Sequence, residues 1–184
     1  MMDEIYRIAG LYICFEAMNK FLLIVVLLIL DFPFLSHASP HWAKLNKSPV
    51  CFGAKGNQFG RFTYNGNIFV NTFMLVHRSG KVTCNRSHYS YWGCTPNSSR
   101  LEAILTDDNN KILAPPASKV NSGGKYTLAG FTSSSSALVL PANKKPQCIF
   151  SNSGLRLWHG EDLKGHTESD NGGRTCADVY ALLV

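Results

Sequence analysis

The chain has 184 residues, with 18 Lys+Arg against 12 Asp+Glu, a formal charge of +6, and is 45% hydrophobic and 16% charged. A disordered chain would be poorer in apolar residues and more strongly charged. Glycine without a three-residue period excludes collagen, no heptad persists as a coiled coil needs, and a single long apolar run excludes a multi-span membrane protein.

Residues 1–38 read as a leader. Residues 21–30 (FLLIVVLLIL) are ten apolar residues in a row, short for a span of about 20 residues but within the roughly 7–15 of a secretory h-region. Lys20 supplies the positive n-region, and Ser36 and Ala38 offer the small residues of a cleavage site, placed after Ala38. Met18 is the expected initiator, which makes 1–17 an extended leader. The competing reading is a retained signal anchor, against which Asp31 and Pro33 cut the run short. Arg7, Lys20, Asp3, Glu4, Glu16 and Asp31 would leave with the leader, so the +6 becomes +8 in residues 39–184. That length suits a single domain with its own core. No stable membrane span is expected.

From residue 39 onward no amphipathic helix stands out. Apolar residues fall in short runs bounded by Gly, Asn, Ser or Pro, the signature of strands and turns. Residues 59–64 alternate, Asn65-Gly66 signals a hairpin, and 68–77 follow as a long second strand. Ser79-Gly80 reads as a turn before a short strand at 81–84. Residues 101–106 alternate, and 107–110 turn the chain into 111–113. A Pro- and Gly-rich loop spans 114–124. Strands are expected at 126–131 and 137–140, joined by the serines 133–136, and then at 155–159 and 175–183. No repeat of 20–50 residues argues for a trefoil, propeller or solenoid. The expected fold is all-β: a two-sheet antiparallel β-sandwich, jelly-roll-like, with a barrel as the alternative.

Cys14 lies in the leader, and Cys51, Cys84, Cys94, Cys148 and Cys176 remain. An oxidising compartment favours pairing them. No C-x-x-C or H-x-x-x-H spacing offers a zinc site. Cys84 and Cys94 would close a polar loop, and Cys51 and Cys176 would staple the terminal strands. Cys148 is then odd: a free thiol, or a link to a disulfide-bonded partner chain. Asn85 and Asn97 head glycosylation sequons; Asn46 heads a poorer one, since Pro49 follows it.

Three constellations could carry chemistry. Glu161, Asp162, Glu168, Asp170, Asn171 and Asp178 gather acid in an otherwise basic chain. Calcium takes six to eight oxygens, often on loops, so Glu161, Asp162, Glu168, Asp170 and Asn171 are candidate Ca²⁺ ligands; the alternative is a solvated glycine turn. Tyr89, Tyr91 and Trp92 could stack on sugar rings, the alternative being core packing. His77, His88, His159 and His166 come with no G-x-S-x-G, H-E-x-x-H or P-loop, so no catalytic residue and no enzyme activity are expected. Lys and Arg are scattered, so no nucleic acid is expected as a partner; sulfated glycans or acidic matrix polymers suit the charge better.

Residues 49–57 (PVCFGAKGN), 75–84 (LVHRSGKVTC), 91–94 (YWGC), 155–163 (LRLWHGEDL) and 170–182 (DNGGRTCADVYAL) together resemble a secreted cnidarian domain found among coral skeletal organic matrix proteins. The resemblance spans most of residues 39–184 and carries no catalytic residue; Cys148 departs from its pattern. It implies secretion and an extracellular setting, such as a biomineralization matrix. The expectation is a non-enzymatic structural or adhesive matrix component, the basic charge arguing against a mineral nucleator. The alternative is a secreted, calcium-assisted carbohydrate-binding module.

Overall fold

The computed structural model describes residues 41–141 and 146–183. The leader, its apolar run and the cleavage after Ala38 lie outside the described residues. So does the Lys144-Lys145 doublet.

Among the described residues the strands are β1 (His41–Lys44), β2 (Val50–Gly53), β3 (Gly60–Thr63), β4 (Ile68–Thr83), β5 (Arg100–Leu101), β6 (Ala103–Asp107), β7 (Ile112–Ala114), β8 (Tyr126–Thr127), β9 (Ala137–Leu140), β10 (Gln147–Ile149), β11 (Gly154–His159) and β12 (Gly172–Leu183). A single turn of helix, α1 (Gly160–Lys164), follows β11. The long strands β4 and β12 pair antiparallel and form the spine of the larger sheet. β1 and β2 share the outer edge of β12, and β9 and β10 share that of β4. The second sheet runs β3-β11-β6-β7, and β5 pairs with β8. All pairings are antiparallel, and one core joins Phe52, Phe73, Leu75, Leu138, Leu140 and Val179 of the larger sheet to Leu105, Leu155 and Leu157 of the other. This is the expected β-sandwich, held by side chains that each contribute about 1.5–3 kcal/mol on burial.

The turn residues serve other ends than the sequence suggests. Asn65-Gly66 closes no hairpin, because β3 pairs with β11 while β4 pairs with β12, β9 and β10. It carries the chain from one sheet to the other. A turn signal sets a change of direction, whereas packing sets which strand is met. Ser79-Gly80 does not end a strand: β4 continues to Thr83. The register passes from Cys176 opposite Ser79 to Ala177 opposite His77, leaving Arg78 as the extra residue of a bulge. Gly80 takes φ +75° there, and a Cβ on it would collide with the Arg174 carbonyl. The 107–110 turn does make its hairpin, β6 to β7, with Asp107 Oδ1 accepting from the amides of Asn109 and Lys111. The strand expected at 126–131 shrinks to β8.

Both expected disulfides form. Cys51 and Cys176 face each other across the β2–β12 ladder, and Cys84 joins Cys94. Cys148 lies in β10 and is not free, which removes the free-thiol reading. No described helix is long and apolar enough to cross a membrane.

Candidate binding site

Gly124 and Gly160 lie backbone against backbone. Gly124 has φ +79°, and a Cβ on either glycine would overlap the other's carbonyl. This close approach lets the residue after each glycine meet the other: Lys125 Nζ stands 2.6 Å from Glu161 Oε1. Glu102 completes the group. It sits between β5 and β6, where its amide donates to the Trp92 carbonyl at 2.7 Å, and its side chain is wholly buried. Its Oε1 lies 4.0 Å from Lys125 Nζ, and its Oε2 lies 3.4 Å from Nδ1 of the buried His159. The Cys84–Cys94 bridge abuts it, with Oε1 2.6 Å from Cys94 Sγ and 3.4 Å from Cys84 Sγ. Cystine sulfur has no proton to donate, so neither contact is a hydrogen bond; the donor that the carboxyl meets is the Glu161 backbone amide.

The electrostatics follow from burial. Glu102 is pushed up to about 8, first by desolvation and then by the charge of Glu161, with Lys125 opposing. His159 is pushed down to about 3 by desolvation and by Lys125. Glu102 Oε2, Glu161 Oε2 and both ring nitrogens of His159 are buried with no hydrogen-bond partner among the described residues. Buried polar atoms are rarely left so.

One oxygen from each of Glu102 and Glu161 and both cystine sulfurs lie within 4.8 Å of one another. The sulfurs are neutral and bonded to each other, so a hard cation would be held by the two carboxylates. Two carboxylates offer at most four of the oxygens such an ion takes, and the Lys125 ammonium already stands 2.6 Å from Glu161 Oε1, so an ion would need Glu102 deprotonated, Lys125 displaced and further oxygens from a ligand or water. Alongside, the cystine, Thr95, Asn97, Ser98, Arg100 and Lys125 line a cavity of about 400 Å³. Its size falls in the range of small-ligand sites, and its wall is rich in hydroxyl, amide and cationic groups.

Of the acidic residues singled out in the sequence, Asp162 and Glu168 come together, and with Asn171 they hold the same loop after β2; Glu161, Asp170 and Asp178 lie apart from them. Glu161 belongs to the buried pair. Asp162 turns the other way and clasps the loop after β2, accepting from the amides of Asn57 at 2.7 Å and Gln58 at 2.9 Å. Glu168 accepts from the Gly56 amide at 2.8 Å. Asn171 donates to the Ala54 carbonyl at 2.9 Å, and Asp170 closes a 3-10 turn whose carbonyl accepts from the Arg86 amide. Desolvation raises Asp162 above its ordinary value, against the two amide hydrogen bonds and helped by the neighbouring Glu168. These residues fix a loop. Asp178 faces Lys44 at 3.0 Å and Arg78 at 2.5 Å. Burial pushes it up, but hydrogen bonds from Lys44, Asn46 and Arg78 outweigh that and hold it low.

Of the three aromatics, Trp92 is fully buried and donates Nε1 to the Ser135 carbonyl at 2.6 Å, so it contacts no glycan. Tyr91 stacks on His77 with centroids 3.8 Å apart. Tyr89 is 43% exposed and is the one of the three presented to solvent. The Asn85 amide is engaged by Thr83, Thr95 and His88, whereas Asn97 is exposed at the cavity wall. Sequence reasoning missed Glu102 and Lys125. The signal for Glu102 was a lone acid inside the apolar run 101–105, where a carboxylate is seldom placed without a purpose.

No protein-family model and no curated protein matches the chain. A solved structure does: AJLec from the sea anemone Anthopleura japonica is 38% identical, with a TM-score of 0.72, over 78% of this chain and 98% of AJLec. The match agrees with the cnidarian part of the expected resemblance and does not extend to coral skeleton.

Proposed function

The chain belongs to the family of AJLec, and on that footing we propose that it is a secreted, non-enzymatic carbohydrate-binding module whose cation-assisted site is the Glu102–Glu161 pair beside the Lys125 cavity. The observation that carries this reading is the 38% identity, across 98% of its length, to AJLec, a cnidarian lectin. The orphaned carboxylate oxygens and the polar cavity support it locally. The disulfides accord with export. The comparison favours a binding module over a passive matrix constituent; the skeletal setting rests on the sequence resemblance alone.

Glu161 and Glu102, the latter once deprotonated, would hold the ion, with sugar hydroxyls or water completing the oxygen shell that calcium takes. The bound ion would supply a Lewis-acidic centre for sugar hydroxyls. Lys125 borders the cavity, and Asn97, Ser98 and Arg100 present donors and acceptors to a glycan.

A glycan array probed with the purified chain in millimolar calcium, and again in chelator, tests the reading. Retention in calcium and release by chelator are expected. Glu102→Gln and Glu161→Gln should each weaken retention at least tenfold, while Asp170→Ala keeps it. Failure of the unmodified chain to bind any glycan in calcium would sink the proposal. Loss in Asp170→Ala with retention in Glu102→Gln would move the site to the C-terminal loop.

A further inference from the structure

We infer that the groove between β2 and β3 is a second binding site, in which Lys47, Arg61 and Arg174 take an anionic polysaccharide segment by its sulfate or carboxylate groups. The site goes beyond the lectin reading and shares no lining residue with the Glu102 cavity.

The groove arises where the two sheets meet at their edges. β2 pairs with β12 and β3 with β11, each along one side only, so their free edges border the same space. At its floor Gly60 rests on the Val50 side chain and the Cys51 carbonyl, where a Cβ would come within 2.5 Å and 2.7 Å of them. With no side chain at 60 the strands close at the bottom and open above. The space is about 530 Å³, walled by Lys47, Ser48, Arg61, Phe62, Asn65 and Arg174. Among the described residues no acidic one lines it.

Two of the three charges are unpaired among the described residues. Arg61 shares its guanidinium with Asp108 at 2.9 Å. Lys47 and Arg174 are exposed, and neither has a carboxylate within ion-pair distance among the described residues. An arginine fork matches the planar or trigonal oxygens of carboxylate and sulfate, and lysine adds a point charge. Ser48 and Asn65 give hydroxyl and amide partners. A groove open along its length admits a polymer, and exposed charges make the attraction salt-dependent.

The test measures binding of the purified chain to immobilised heparin and, separately, to hyaluronan, in 0.15 M salt with chelator present. Binding to heparin alone assigns sulfate as the recognised group; binding to both shows that carboxylate suffices. The double variant Lys47→Ala/Arg174→Ala should weaken heparin binding at least tenfold with an unchanged melting temperature. The charge-matched control Lys119→Ala/Lys164→Ala, outside the groove, should weaken it less than twofold. Lys47→Arg/Arg174→Lys should restore it. Equal losses in the two alanine pairs, loss of heparin binding in chelator, or no binding to either polymer overturns the proposal. The glycan-array result in calcium is read independently, so either site can fail alone.

Discussion

Glu102 keeps its proton into the neutral range because its carboxyl is buried against a neutral cystine and within reach of a second acid. A carboxyl whose folded value is raised from 4.5 to about 8 stabilises the fold fully below pH 4.5 and loses that contribution as pH rises to about 8. His159 acts in the opposite sense. Its folded value is lowered from 6.5 to about 3, so its contribution is complete above pH 6.5 and is lost as pH falls toward 3. Between pH 4.5 and 6.5 the two slopes oppose each other. In chelator, melting temperature should therefore plateau near pH 4.5–6.5 and fall from 6.5 to 8, by up to about 1.4 kcal/mol of stability per pH unit. Glu102→Gln should abolish the alkaline decline. A thermal scan in which that variant declines like the parent would show that another group titrates.

The glycine contact is a feature of elements: the 114–124 loop meets the β11–α1 junction through Gly124 and Gly160, whose carbonyls leave no room for a Cβ. That contact aims Lys125 at Glu161. Gly124→Ala would add both a clash and a side chain at φ +79°, so the loop must lift. We expect a loss of about 2–4 kcal/mol, from strain and from separating the buried ion pair, with loss of calcium-dependent glycan retention. Gly130→Ala is the control. Gly130 shares φ +79°, but a methyl group there would meet nothing within 4 Å, so it bears the backbone strain alone and should keep retention. Urea melts and the glycan array separate the two variants. Similar retention in both would show that the Gly124–Gly160 contact does not build the site.

Across the whole molecule the two disulfides act on different lengths of chain. Cys51–Cys176 closes a separation of 125 residues and Cys84–Cys94 one of 10. By the chain-entropy relation the first restricts the unfolded state by about 5 kcal/mol and the second by about 2.7 kcal/mol. Cys51→Ala/Cys176→Ala should therefore lower the melting temperature more than Cys84→Ala/Cys94→Ala. The second pair should cost more in glycan retention, because that bridge walls the cavity and abuts Glu102. Calorimetry and the array give two orderings. If both measures fell in the same order, the division between a staple for the sandwich and a wall for the site would be wrong.

Short apolar runs broken by Gly, Asn, Ser and Pro were enough to settle an all-β chain, because strand periodicity and turn chemistry act over a few residues. The pairs Cys51–Cys176 and Cys84–Cys94 were legible too, one from the terminal strands and one from a short polar loop. Tertiary structure alone decided that Asn65-Gly66 crosses between sheets, that Ser79-Gly80 belongs to a bulge, and that Asp162 and Glu168 tie down a loop. It also decided the site. Glu102, Lys125 and Glu161 lie tens of residues apart, and no local pattern records their meeting. They converge because two glycine backbones touch and a buried strand junction faces them, a consequence of how the sheets pack.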